Sequence, residues 1–207
     1  MTIELSQLYR LRVRDVKKAS EVFVRAFHSD VLLEFLFPNE ETREKYILEY
    51  FRTRIKFGIL YGEVYASSPQ IEGLAVWYHS ENYIITNWKM LRAGGMRLFI
   101  KVEKEAIARA MDLGHFTNEL RGKHIDVPYW YLAPVGIDPI HQGKGLCSKL
   151  VKSMLARCDK EKISTALETQ LEKNVEIYKR YGYKIIAETK IPDSEIPHYL
   201  MVRHPKE

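Results

Sequence analysis

Cysteine is scarce in this chain. Its 207 residues include two, Cys147 and Cys158. If one helix carries both, they stand about 16 Å apart along its axis, beyond the ~7 Å reach of a disulfide. Two free thiols fit a reducing compartment. The seven histidines form no HExxH pair and no cysteine–histidine spacing, so no metal site is expected. No stretch approaches the ~20 apolar residues of a membrane span. The N-terminal MTIELSQLYRLRVRD holds no apolar segment of signal-peptide length. A cytoplasmic protein with no membrane partner is the expectation. Lysine and arginine form no long run, and a net charge of +5 is too dispersed to argue for nucleic acid, though it suits an anionic ligand.

What is present is a soluble mixture, 46% apolar and 29% charged, long enough to bury one substantial core. Strand and helix patterns alternate along it. Leu8 to Val13 alternates as a first strand. Asp15 stands ready to cap a helix whose inner face carries Val16, Ala19, Phe23, Ala26 and Phe27. A second helix is predicted from Asn39 to about Lys56. GEVYASS and IEGLAVWYH read as two strands joined by a turn near Ser68-Pro69. From Ser80 to Lys123 the pattern is helical, broken at Gly94-Gly95 and punctuated toward its end by Gly114 and Gly122. YWYLAPVGI is an aromatic strand, followed by a helix with Leu146, Leu150, Val151, Met154, Leu155 and Cys158 inward. ISTALET, a helix marked by Leu171, Val175 and Tyr178, and the strands YKIIAET and HYLMVRH complete the chain. With no repeat or linker, residues 1–207 read as a single domain of the α/β (α+β) class, its helices around one sheet.

The stretch GIDPIHQGKGLCSKL (136–150) carries the strongest chemical signal. It joins a strand ending near Asp138 to a helix beginning near Gly143. The mouth of a helix offers unpaired N–H groups and the positive end of the dipole, which together hold anions. Gly143 and Gly145 remove side chains that would keep phosphate oxygens from those amides, and Lys144 adds positive charge. A Walker loop is excluded, because Gly145 stands where a magnesium-binding hydroxyl is needed. A dinucleotide fingerprint is excluded, because Ser148 stands where the third glycine is needed. A plain turn and helix start is the alternative.

VGIDPIHQGKGLCSKL resembles the acyl-CoA-binding motif of the GNAT superfamily of N-acyltransferases, written Q/R-x-x-G-x-G/A. Gly143 and Gly145 match, and Ile140 departs at the first position. LETQLEKNVEIYKRYGY resembles the family's later segment through Asn174, Tyr178 and Gly182-Tyr183. PYWYLAPVGIDPIHQGKGL and PHYLMVRHP are most similar to the puromycin N-acetyltransferase-like members, without implying that antibiotic as acceptor. The resemblance covers residues 127–204 well. It implies a mixed, mostly antiparallel twisted sheet of about seven strands flanked by helices. Ser80–Lys123 departs from the family as a helical insertion between the third and fourth strands, able to cover an acceptor site.

The resemblance implies acetyl-CoA as co-substrate, with no metal, and a small primary amine as acceptor. Val135, Gly136 and Ile137 would flank the pantetheine. His141, Gln142, Gly143, Lys144, Gly145, Leu146 and Cys147 would meet the phosphates. Asn174 and Tyr178, one helical turn apart, would complete the cofactor contacts. Pro134 cannot donate to a ladder, which suggests a bulge or an edge there. Tyr178 is the candidate acid for the departing thiolate, or a core tyrosine. Glu168 is the candidate base, through water, or a structural carboxylate. His141 touches phosphate or solvent, and Cys147 reads as packing rather than nucleophile. Trp88, His115, Tyr129 and Tyr131 are available to an acceptor pocket, but aromatic residues at such spacings are more often core than ligand platform, and none is assigned. A non-catalytic CoA sensor and a protein N-terminal or lysine acetyltransferase remain as other readings, and monomer and homodimer are both open.

Overall fold

The computed structural model describes residues 4–83 and 85–206. β1 (Tyr9–Arg10) opens the sheet and is much shorter than the strand expected over Leu8–Val13. The reason is local. Asp15 accepts hydrogen bonds from the Tyr9 hydroxyl (2.9 Å) and the Arg12 N–H (2.8 Å), which draws the chain into a 3-10 turn. α1 (Val16–Ala26) follows, burying Ala19 and Phe23. α2 (Val31–Leu36) was not anticipated; Asp30 caps it by accepting from the N–H groups of Leu32 and Leu33, both at 3.1 Å. α3 (Glu40–Tyr61) is capped by Asn39 and runs past the expected end near Lys56. Gly58 lets it continue against the sheet, since a Cβ there would lie 2.7 Å from Val76 Cγ1.

β2 (Glu63–Ala66) and β3 (Gly73–His79) form a hairpin. The insertion then folds as α4 (Asn87–Ala93), α5 (Gly95–Lys101) and α6 (Lys104–His124). Gly94, at φ +100°, takes the left-handed conformation that divides α4 from α5. Gly114 and Gly122 do not end the helical run as expected: both lie inside α6. Interior glycine weakens a helix by about 1 kcal/mol, and contacts along the rest of α6 outweigh it. Arg109, for one, donates twice to the Leu36 carbonyl.

β4 (Tyr129–Ile137), α7 (Leu146–Glu161), β5 (Ser164–Thr169), α8 (Glu172–Arg180), β6 (Lys184–Lys190) and β7 (Pro197–Arg203) complete the chain. The sheet order is β1-β2-β3-β4-β5-β7-β6, antiparallel throughout except for the parallel β4–β5 pair. It is the mixed seven-stranded sheet that the sequence implied. Alternation along each strand gives it two apolar faces. Leu74, Val76, Tyr78 and Tyr131 pack toward α1 and α3. Ala75, Trp77, Trp130 and Leu132 pack toward α7 and α8. Among the described residues, no helix is long and apolar enough to cross a membrane.

Candidate active site

The site begins where β4 and β5 part. Ala75 faces Val135 and Trp77 faces Leu132, so β4 spends one extra residue there. That residue accompanies Pro134, whose ring nitrogen has no hydrogen to offer the ladder. Pairing with β5 covers only Tyr129–Leu132 against Ser164–Leu167. Beyond the bulge β4 stays with β3, whereas Glu168 and Thr169 stay with β7. The two central strands therefore open into a cleft. The Asp138 N–H bonds to the Glu72 carbonyl on the β3 side at 2.9 Å. By two-residue alternation, Val135 and Ile137 turn their backbone groups toward the cleft. The Ile137 carbonyl is taken there by Gln142 Nε2 at 3.2 Å.

The loop at the mouth of the cleft is fixed from below. Asp138 is buried, and one of its oxygens accepts from Arg25 of α1 through Nε (2.9 Å) and Nη2 (2.6 Å). Its other oxygen accepts from the Ile140 N–H. α7 starts at Leu146 rather than near Gly143, because Gly143 (φ +76°) and Gly145 (φ +74°) are both left-handed. A Cβ at either would meet nothing within 4 Å. Their purpose is backbone conformation and open space, not relief of crowding inside the protein. Gly136 differs: a Cβ there would lie 2.7 Å from Phe27 Cε2, so packing against α1 requires that glycine.

Among the described residues, none of the N–H groups of residues 143–148 has a hydrogen-bond partner, and Lys149 is the first to bond back, to the Gly145 carbonyl at 3.0 Å. Lys144 Nζ lies beside them, 3.3 Å from His141 Nδ1 and 3.5 Å from the Ile140 carbonyl. Free amides at the mouth of a 16-residue helix, with an adjacent ammonium, fit a diphosphate.

α8 supplies the far side of the cleft. Asn174 Nδ2 donates to Thr169 Oγ1 at 3.3 Å, tying the helix to the end of β5. Tyr178 is half-buried against Tyr181 and Tyr183, and its hydroxyl has no hydrogen-bond partner among the described residues. Burial, helped by the neighbouring Cys147 and tyrosines, holds its phenol well above the ordinary range, so it stays protonated. Burial also pushes the Cys147 thiol up despite its place in the first turn of α7, which leaves it protonated and unreactive.

Glu168 sits in a closed corner. Arg121 Nη1 donates to Oε1 at 2.8 Å, and the Tyr131 hydroxyl donates to Oε2 at 2.7 Å. His198 Nε2 lies 3.8 Å from Oε1, buried and without a partner of its own. Burial alone would raise the carboxyl. The facing His198, the Arg121 guanidinium and the Tyr131 hydroxyl outweigh it, and Glu168 lies below its usual range. Arg121 is held by Asn118 and stacks 4.2 Å from the Tyr131 ring centroid and 5.6 Å from that of Tyr83. Trp88 is exposed on α4.

Sequence reading assigned no role to Arg121, His198 or Tyr83. Arg121 and Glu168 are 47 positions apart, and no local pattern links them. The nearest available signal was an arginine within a helical insertion facing a carboxylate at a strand end.

A cleft between two parting parallel strands, with an amide-lined helix mouth beside it, is the arrangement that the resemblance to acyl-CoA-dependent acetyltransferases implied. Residues 74–186 match the family model described as an acetyltransferase (GNAT) domain, and the chain belongs to that family. It is 27% identical over 205 residues to an uncharacterised N-acetyltransferase of Schizosaccharomyces pombe, covering 95% of this chain and 83% of that protein. Its fold is shared with a histone acetyltransferase and related acetyltransferase from Corynebacterium glutamicum (TM-score 0.69, 19% identity, 97% of each chain). A Drosophila melanogaster polyamine N-acetyltransferase also shares it (TM-score 0.62, 12% identity, 95% of this chain and 98% of that one). The protein is an acyl-CoA-dependent N-acetyltransferase.

Proposed function

We propose that this enzyme transfers the acetyl group of acetyl-CoA to the primary amine of a small molecule by direct attack. The observation that carries the small acceptor is Arg121: a residue of the insertion reaches Glu168 and is 3% exposed there. By that contact the insertion is held against the end of β5, a placement that favours a small acceptor over a peptide. The N–H groups of residues 143–148 hold the diphosphate, and Val135 and Ile137 pair with the pantetheine as an added strand would. A strand N–H facing the thioester oxygen supports charge developing on it, an effect of about 3–4 kcal/mol in comparable sites.

The amine nitrogen forms a bond to the acetyl carbon as the carbon–sulfur bond breaks. Tyr178 donates a hydrogen bond to the departing sulfur, and because burial tightens its hold on the proton, solvent completes the protonation. Once the carbon–nitrogen bond forms, the attached N–H is acidic enough for the ionised Glu168 to take its proton despite the lowered carboxyl, relayed by the Tyr131 hydroxyl, which passes its own proton to Oε2 as it receives one. Free Cys147 and Cys158 fit work in the reducing cytoplasm. The motif likeness to puromycin N-acetyltransferase-like members supports this reading.

Thiol release from acetyl-CoA with a panel of small amines and a panel of peptides tests this reading. Turnover of at least one small amine is expected. CoA binding without turnover of any amine would favour a sensor, and turnover of peptides alone would overturn the small acceptor.

A further inference from the structure

The Arg54 guanidinium takes no part in the mechanism above, and in the fold it contacts the Tyr50 ring. It lies on the third turn from the C-terminal end of α3, half-buried. Its guanidinium donates no hydrogen bond and forms no ion pair among the described residues. Its own helix cannot supply a counter-ion, since the positions three and four away are Tyr50, Phe51, Phe57 and Gly58. The polar groups around it are phenols, those of Tyr50, Tyr78, Tyr83 and Tyr131, and its Cζ lies 5.6 Å from the Tyr50 ring centroid. Tyr78 fixes the backbone beneath it, its hydroxyl donating to the Arg54 carbonyl at 3.1 Å.

The position matters as much as the missing partner. The Tyr83 and Tyr131 rings lie 5.6 Å apart, with Arg121 stacked on both and Arg54 near both. Tyr131 bonds to Glu168. Two guanidiniums therefore border the tyrosine wall beside the proposed transfer site, and one carboxylate answers them. Arg121 uses that carboxylate. A planar fork of five donors left without an acceptor, in a setting that removes much of its water, is a poor arrangement for stability. It matches a carboxylate, which takes two parallel N–H bonds from such a fork.

We infer that the acceptor is an amino acid or a close analogue, its carboxylate bound by Arg54 while its amine faces the thioester. This rests on the small-amine reading above and narrows it. A polyamine would bring several positive charges against Arg54 and Arg121 and is disfavoured at this site.

Calorimetric binding to the CoA-saturated protein tests the inference without needing turnover. The probes are matched pairs, phenylalanine with phenethylamine, leucine with isopentylamine, and lysine with cadaverine. In at least one pair the carboxylated member should bind about 10–100-fold more tightly. Arg54→Met should collapse that preference to near unity, and Arg54→Lys, keeping charge without the fork, should retain part of it. The melting temperature of Arg54→Met should be unchanged or higher, because an unpaired cation leaves the interior; it also reports that the variant folds. The inference is overturned if the decarboxylated members bind as tightly, if Arg54→Met leaves the preference intact, or if no probe binds at millimolar concentration. Thiol release with the same probes separates the two readings. An Arg54-dependent preference without any acetyl transfer removes the small-amine reading and keeps the carboxylate site. Transfer to amines without that preference does the reverse.

Discussion

In the proposed mechanism, Tyr178 is the residue on which the chemistry depends most directly. Its phenol is packed by Tyr181 and Tyr183 and keeps its hydroxyl free. Tyr178→Phe keeps the ring and removes one hydrogen bond to the leaving sulfur. We expect kcat to fall about 10²-fold while the KM for acetyl-CoA changes little; steady-state kinetics on both substrates checks it. A kcat unchanged by the substitution would make the tyrosine a packing residue.

Glu168 makes a separate prediction at the same scale. Its carboxyl is held below its ordinary value of 4.5. The unfolded chain therefore takes up this proton first as pH falls. The stabilisation is fully present above the unfolded value and is lost as pH drops through the folded one. Melting temperatures should fall below about pH 4.5, and Glu168→Gln should flatten part of that fall. At pH 7 the variant should be about 3 kcal/mol less stable, since Arg121 is left buried without its anion. An acid limb of equal steepness in both proteins would remove Glu168 from the account.

At the scale of elements, α6 carries an interior cost that function does not require. Gly114 and Gly122 lie inside it with open space where a Cβ would go. Gly114→Ala and Gly122→Ala should each stabilise the fold by about 0.5–1 kcal/mol without loss of transfer activity. Denaturant melts of the two variants measure it, and destabilisation by either would mean that α6 must bend or yield at that glycine.

These glycines also show where the sequence is legible and where it is not. Local rules read them as punctuation, yet contacts made by Arg109 and Arg121 carry the helix through both. β1 failed for the opposite reason: the alternating apolar pattern was present, but Asp15 captured the Tyr9 hydroxyl and the Arg12 N–H and bent the chain away. The glycine loop and the Asn174–Tyr178 turn were readable because their chemistry lies within a few residues. The Arg121–Glu168–Tyr131–His198 corner was not, because it is assembled from an inserted helix and three strands that no short pattern connects.

For the whole molecule, the seven-stranded sheet matters because it splits. Pro134 and its bulge end the β4–β5 pairing, α1 holds the loop through Arg25 and Asp138, and the mouth of α7 comes to the open end. The insertion reaches the end of β5 through Arg121. Packing of α1 explains Gly136, while the left-handed backbone at Gly143 and Gly145, with nothing within 4 Å of a Cβ at either, fits the proposed diphosphate.

That contrast is tested most directly by the affinity of the folded protein for coenzyme A, measured by calorimetry before and after Gly143→Asp. The substitution puts a side chain and a negative charge into the space kept for the diphosphate. With a cooperative melt preserved, affinity should fall about 100-fold. Unchanged affinity in the folded variant would contradict the assignment of the helix mouth as the phosphate site, and with it the chemistry built on that site.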